Sequence, residues 1–341
     1  MLASAARRLH AQAPAVVLAC LWLALAGAVA GCSGSASGGA GASGEGGERR
    51  PSAAARVPAR ALTDEERRLG DLDLRLAAFD AAQAEGRVDE ADVRAAELVR
   101  RVEADFALLE AAARGAHGAD GAYVGTMAMG FSRRPAATAV LVERLADRDS
   151  RLVANALLAV KLRGDPAVPL GAVGVHVASR DADVRRYAPL AVARVLEARR
   201  RAGSAVDATA EEELLQRVKA TLADQDPLVR LHTARMLGEL SDRRAVDLLM
   251  RLLEDASERV RLGAAVALGK HGHPPGFLRT VQWLHEAADE DKPLFAAALA
   301  GHAARLQGRP LSSAEEQALG VSAAAWARWH AALPAVAPAA R

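Results

Sequence analysis

Residues 222–240 read LADQDPLVRLHTARMLGEL, and residues 253–271 read LEDASERVRLGAAVALGKH. Set at an offset of 31, which brings Arg230 onto Arg261, the two segments agree at eight positions. Leu222, Asp224, Val229, Arg230, Leu231, Ala234, Leu237 and Gly238 meet Leu253, Asp255, Val260, Arg261, Leu262, Ala265, Leu268 and Gly269. A self-similar unit of about 30 residues that holds two helical stretches is the mark of an α-solenoid, because one such unit cannot bury its apolar face alone.

The unit extends outward in both directions. Leu145-Ala146-Asp147 and Leu152 stand 77 residues before Leu222-Ala223-Asp224 and Val229, and Val184-Arg185 follows Leu152 by 32. Gly130 to Asp147 repeats the 17-residue span from Gly238 to Asp255. The helical pairs drawn from this spacing are 117–147, 151–179, 182–223, 227–255 and 258–288, with one further helix to about 307. Composition agrees: 51% of residues are apolar but only 3% are aromatic, so Ala, Leu and Val must fill thin layers of closely packed helices.

The pattern D-x-x-V-R…A-x-x-A-L-G at 226–238 and 257–269, weaker at 149–160 and 181–193, resembles the HEAT repeats, in particular the HEAT-like repeats of phycobilin lyases. The resemblance covers about 117–307 and implies an all-α, right-handed α-solenoid (an α-α superhelix). Arg185, Arg230 and Arg261 recur after an Asp-containing turn. They read either as a basic binding ladder or as bridges between neighbouring turns, and the second reading is preferred. One unit is long: Arg185 to Arg230 spans 45 residues, and the excess maps to ARRRAGSAVDA at 198–208, ahead of a capping box at Thr209–Glu212. Insertions in solenoids fall on one face, so Arg199, Arg200 and Arg201 at the start of this loop are the candidate partner-binding residues.

Upstream, Thr63-Asp-Glu-Glu66 is a capping box that opens a helix with Leu69, Leu72, Leu76 and Phe79 on one face. A second helix carrying Leu98, Val102, Phe106 and Leu109 completes a helical hairpin within 61–115, ahead of a repeat array at 116–307. Downstream, 308–333 holds another capping box at Ser312–Glu315 and a helix from Ser322 on which Trp326 and Trp329 share a face and cover the open end of the last repeat. A Pro/Ala-rich tail, 334–341, is expected to be disordered.

The N-terminus has its own logic. Arg7 and Arg8 precede an apolar run from Ala15 to Ala30, and Val29-Ala30-Gly31-Cys32 closes it. A basic region, an apolar core too short to span a bilayer and small residues at a cut describe a secretory signal peptide over 1–32. The Cys after Val-Ala-Gly resembles the lipobox of bacterial lipoproteins. That resemblance implies lipidation of Cys32 and an envelope location, on the periplasmic side of the outer membrane where the host has one. Residues 33–60 are Gly/Ser-rich, a tether with a root-mean-square reach of about 30 Å. Cys20 and Cys32 are the only cysteines, so the folded part has no thiol chemistry. Removing Arg7 and Arg8 leaves 42 basic against 42 acidic residues. Such a chain has no global pull toward nucleic acid, and none is expected as a partner.

Motifs for chemistry are absent. His271-Gly-His273 lacks the further ligands that a metal site needs, the single His285-Glu286 pair does not make an iron hydroxylase, and His232, opposite Gly263 in the sister repeat, reads as a tolerant position. No catalytic, cofactor or metal residues are assigned. The expectation is therefore a lipid-anchored extracytoplasmic scaffold, not an enzyme, that binds a protein or peptide partner at the cell envelope. The alternative is an exported enzyme or cofactor-binding protein on the same phycobilin-lyase-like scaffold. A Cys32→Ala variant is expected to lose its acyl mass in mass spectrometry and to leave the membrane fraction; a variant that still partitions like the wild type removes the lipoprotein reading.

Overall fold

The computed structural model describes residues 61–204, 206 and 208–333. Cys32, the signal peptide, the tether and the 334–341 tail lie outside the described residues. Within them the fold is an all-α solenoid: sixteen α-helices and one short 3₁₀ turn, with no strand among the described residues. The helices are α1 (Asp64–Ala84), α2 (Val88–Ala104), α3 (Phe106–Ala113), α4 (Gly118–Ala128), α5 (Pro135–Leu145) and α6 (Ser150–Arg163). They continue as α7 (Leu170–Gly174), α8 (Ala182–Arg201), α9 (Ala208–Val218), α10 (Pro227–Leu237) and α11 (Arg243–Leu252). The chain closes with α12 (Glu258–His271), α13 (Pro274–Glu286), α14 (Lys292–Gln307), α15 (Ser313–Leu319) and α16 (Ala323–Ala331).

Two layers result. The inner layer is α4, α6, α8, α10, α12 and α14, each packed along the next, and the outer layer is α5, α7, α9, α11 and α13. The inner helices are apolar nearly all round, as helices packed on several sides must be: in α12, nine residues from Val260 to Gly269 are buried. Small residues let these helices approach. A Cβ placed on Gly238 would lie 2.8 Å from Ala267 Cβ, and one on Gly130 would lie 2.9 Å from Ala159 Cα, so the glycine closing the A-L-G pattern marks where the next inner helix crosses. Gly263 is held the same way, because a Cβ there would run into Leu231 Cδ1.

Local signals fix the ends. Thr63 and Ser312 each form a reciprocal capping box, with Glu66 and Glu315. Asp149, Asp181, Asp226 and Asp242 cap α6, α8, α10 and α11, their carboxylates accepting from the first backbone amides. Helix α9 begins at Ala208, one residue ahead of the Thr209 expected to cap it, and Glu212 accepts from Gln216 and Arg244. The second hairpin helix is also two helices. Asp105, at φ −102° and ψ 19°, breaks it between α2 and α3, and its carboxylate lies 3.0 Å from Arg101 Nε. The apolar phase survives the break, which is why Leu98, Val102, Phe106 and Leu109 read as one helix.

One continuous core runs from Leu69 in α1 to Trp326 in α16. The hairpin caps the array, α1 packing on α2 and on α4, with Phe79 edge-on to Phe131 at 5.1 Å. At the other end Trp326, 2% exposed, packs with Trp329 against Phe277, and its Nε1 donates to Gly320 O. The two tryptophans therefore cover the end of α13.

The recurrent arginines tie the turns together. Arg185 Nε donates to Asp224 at 2.7 Å, and its NH1 to the carbonyls of Ser179 and Arg180. Arg230 repeats this one unit on, to Asp255 with both Nε (2.7 Å) and NH2 (2.8 Å), and to Asp224 O at 2.7 Å. Arg261, where the array nears its end, keeps the carbonyl bonds to Asp255 and Ala256 and lies 4.1 Å over the Trp283 ring. Burial alone would raise the Asp255 carboxyl, but hydrogen bonds from Arg230 and the Ser257 amide hold it below the ordinary value. Arg230→Ala is expected to cost about 2–3 kcal/mol, because Asp255, its side chain 9% exposed, is left as an unpaired charge. Arg261→Ala is expected to cost about 1 kcal/mol. Urea melts of the two variants check the order, and equal losses would contradict it.

Candidate functional site

The inner layer opens onto a groove made of two adjoining chambers. One, of about 980 Å³, lies between the overhanging end of α8 and the C-terminal ends of α10, α12 and α14. The other, of about 620 Å³, lies between the hairpin and the inner faces of α6, α8 and α10. Glu197, Arg201, Glu239 and Lys270 belong to both walls, so the two chambers adjoin along the inner layer.

The long unit builds its wall. The excess begins as helix: α8 runs for 20 residues and ends at Arg201, against 11 for α10 and 14 for α12. Arg199, Arg200 and Arg201 therefore sit in the last turn of α8 and not in a loop, which periodicity alone does not distinguish. Arg199 turns away from the groove and donates to the carbonyls of Pro166 (3.1 Å) and Val168 (3.0 Å), pinning the preceding unit. Arg200 pairs with Glu239, and Arg201 with Glu197 at 2.6 Å. Of the three, Arg200 and Arg201 line the groove.

Charge along the groove is one-sided. Ten basic side chains line it against three acids, Asp92, Glu197 and Glu239. Each of the two central acids is shared by two cations. Glu197 meets Arg194 (2.7 Å) and Arg201, and Glu239, its side chain 3% exposed, meets Arg200 and Lys270. Burial raises the Glu197 carboxyl, and the Arg194 hydrogen bond overcomes it, so the group stays below its usual value. Burial pushes Lys161 down to about 8, with Arg235 adding repulsion, and pushes Arg235 down to about 9, with Arg259 adding more. Across from Lys161, burial pushes the Asp80 carboxyl up to about 6 although its surface is exposed, as expected for a group walled in but still wet.

Residues 211–305, the segment spanning α9 to α14, match the family model of HEAT repeats. The chain carries a HEAT-repeat domain. No curated protein matches the chain significantly. Inner helices α10, α12 and α14 of the matched segment line the larger chamber, whereas α8, which walls both chambers, and α6 and the hairpin, which complete the smaller one, lie upstream of it.

The histidines prove to be inter-helix fasteners. His232 in α10 donates from Nδ1 to Arg186 O in α8 at 2.7 Å, and His271 in α12 from Nε2 to Leu237 O at the end of α10. His302 in α14 donates from Nε2 to Ala265 O in α12 at 2.8 Å. A carbonyl only accepts, so each of these ring nitrogens carries the proton. His232 is thus no tolerant position, and its sister Gly263 is fixed by the approach of Leu231. His273 caps α13, accepting from Gly276 N at 3.3 Å. The sequence signal that could have exposed the pattern is the spacing of His232, His271 and His302 near once per unit in the inner helices.

Burial holds His232 at about 3 and His302 at about 4, against an ordinary value of 6.5. Between pH 6.5 and 4 the unfolded chain takes up protons that the folded chain refuses. Their contribution is therefore complete above pH 6.5 and is lost as pH falls toward those values. Stability at pH 5 is expected to be lower than at pH 7 by about 2 kcal/mol for each of the two histidines. Replacing His302 by Gln should flatten the dependence of the urea midpoint on pH, and a wild-type midpoint unchanged between pH 7 and 5 would contradict the assignment.

Proposed function

We propose that the chain is a lipid-anchored, extracytoplasmic scaffold that holds a segment of a protein partner in the groove of its HEAT-repeat domain. The observation that carries this reading is the pair of adjoining chambers along the inner helices, both partly open to solvent and together lined by side chains from five of them. A stiff, extended surface of this kind suits a polypeptide segment better than a small substrate, which calls for enclosure. The state of the carboxylates supports it further. Glu197 and Glu239 are each engaged by two cations and so serve as ion-pair partners, not as free bases, which favours a binding face over the exported-enzyme alternative.

Anchoring rests on the sequence: the Val-Ala-Gly-Cys32 lipobox-like stretch and the Gly/Ser-rich tether behind it. Among the described residues no helix is long and apolar enough to cross a membrane. A lipid at Cys32 would keep the groove within about 30 Å of the surface and raise its effective concentration toward envelope partners.

Photo-crosslinking in living cells tests the scaffold reading. A crosslinker at Ala304, which lines the groove, is expected to trap a discrete partner, and one at Leu278, 46% exposed on outer helix α13, is not. Adducts from Leu278 alone, or the same adducts from both positions, would sink it.

A further inference from the structure

Each inner helix from α6 to α14 presents at least one cation to the groove: Lys161, Arg194 with Arg201, Arg235, Lys270 and Arg305. This row stands in a chain whose basic and acidic residues, counted after Cys32, balance. It is therefore a local concentration of charge and not an overall excess. Walls of one sign in a cleft focus the field along it.

The row is only partly neutralised. Glu197 and Glu239 each serve two cations at once, and the third acid, Asp92, stands on the hairpin. Lys161 makes no hydrogen bond or ion pair among the described residues and is half-buried where α1, α6, α8 and α10 converge. Burial and the repulsion of Arg235 depress its proton affinity, and the attraction of Asp80 across from it offsets this only in part. Arg305, exposed at the other end, has no ion pair there either.

Spacing selects the occupant. Packed helices lie about 8–10 Å apart, so five inner helices set their cations along about 35–40 Å. An extended polypeptide rises about 3.3 Å per residue, so about 10–12 residues span the row and every third residue meets the next helix. Nucleic acid fits less well, because it calls for aromatic faces on which bases stack. The aromatic residues in the groove wall, Phe79 and Phe131, are 3% and 7% exposed and packed on each other. The chain's own unplaced ends do not fit either: 33–60 carries Glu45 and Glu48 against Arg49, Arg50, Arg56 and Arg60, and the tail ends in Arg341.

We propose that the groove takes an extended acidic segment of its protein partner, with carboxylates at about every third residue pairing with the row from Lys161 to Arg305. This rests on the scaffold reading and adds the chemistry of the partner to it.

The test uses the full-length protein and fluorescently labelled twelve-residue peptides in anisotropy titrations. The Glu-Ala-Ser repeat peptide is expected to bind, and to weaken at least tenfold between 20 and 200 mM salt. Lys161→Gln and Arg305→Gln should each weaken it about 3- to 10-fold, and together more than either. Arg68→Gln, on the exposed side of α1, should leave it unchanged. The Lys-Ala-Ser peptide should not bind. No binding of the acidic peptide, equal binding of the lysine peptide, or affinities untouched by both groove substitutions overturns the proposal. Displacement of the peptide by low-millimolar inorganic phosphate reduces the site to a small-anion pocket and overturns it too. So does Lys161-dependent binding of phosphatidylglycerol vesicles or of an oligothymidine where the acidic peptide fails. Groove crosslinks that persist while the peptide fails leave the scaffold reading standing and remove this inference alone.

Discussion

The arginine that follows the caps of α8 and α10 does two jobs with one planar group, and the stack depends on it. Arg230 closes its own turn by donating to Asp224 O and reaches forward with two parallel bonds to Asp255 in the next turn. Asp255 in turn accepts from the Ser257 amide and so orders the start of α12. The same side chains therefore define a turn, join it to its neighbour and set the register between them. A lysine would supply the charge but not the fork that meets two acceptor sets at once. Apolar packing alone would hold neighbouring inner helices together, but it tolerates sliding along them. The bidentate pair of Arg230 with Asp255, and the Arg185–Asp224 pair one unit before it, do not.

Such a ladder has a beginning. At the corresponding position of α6 stands Val153, and the preceding turn is fastened differently, by Tyr123 donating to Asp149 at 2.6 Å. The first unit thus meets the hairpin through an apolar seam of Leu109, Ala113 and Phe131 and through Glu103, which accepts from Ser132, the Arg133 amide and Arg134. Glu211 plays the same part at the Ser241–Asp242 turn. Acidic side chains at the start of a following helix meet both unpaired amides and the positive end of its dipole, so one carboxylate stabilises the turn twice over.

How much of this the sequence carries follows from the range of each interaction. Helix pairs and caps are local, and their periodicity, their Asp and Ser residues and the 31-residue offset between Arg230 and Arg261 are all legible in the chain. The structural role of Arg230 is legible too, because the repeat shows it beside an Asp every time. The groove is not. Lys161, Arg235 and Lys270 occupy different positions in their units, so no alignment of repeats lines them up, and only the packing of the inner helices brings them to one chamber. The placement of Arg199 to Arg201 on a helix end rather than a loop was hidden for a different reason: an insertion that begins by continuing a helix has the same composition as one that leaves it at once. His232 misled because its sister is Gly263, and two unlike residues at one position suggest freedom. In fact each is fixed by a separate contact across the inner layer.

Function in this chain is thus displaced from the most regular residues to those that break register. The repeated arginines are consumed in holding turns together and have no capacity left for a partner. The groove cations lie outside the repeat consensus, and two of them, Arg200 and Lys270, pair with Glu239, which follows the A-L-G glycine Gly238 directly. Lys270 occupies the equivalent place after Gly269. One unit therefore places an acid and the next a base at the same position, and the pair joins them across the inner layer. That exchange of sign is affordable only where the neighbouring helix crosses closely over a glycine, as it does at Gly238 over Ala267. The close crossing that makes the scaffold compact is also what brings opposite charges into the channel wall, and the surplus of bases beyond those pairs gives the channel its polarity.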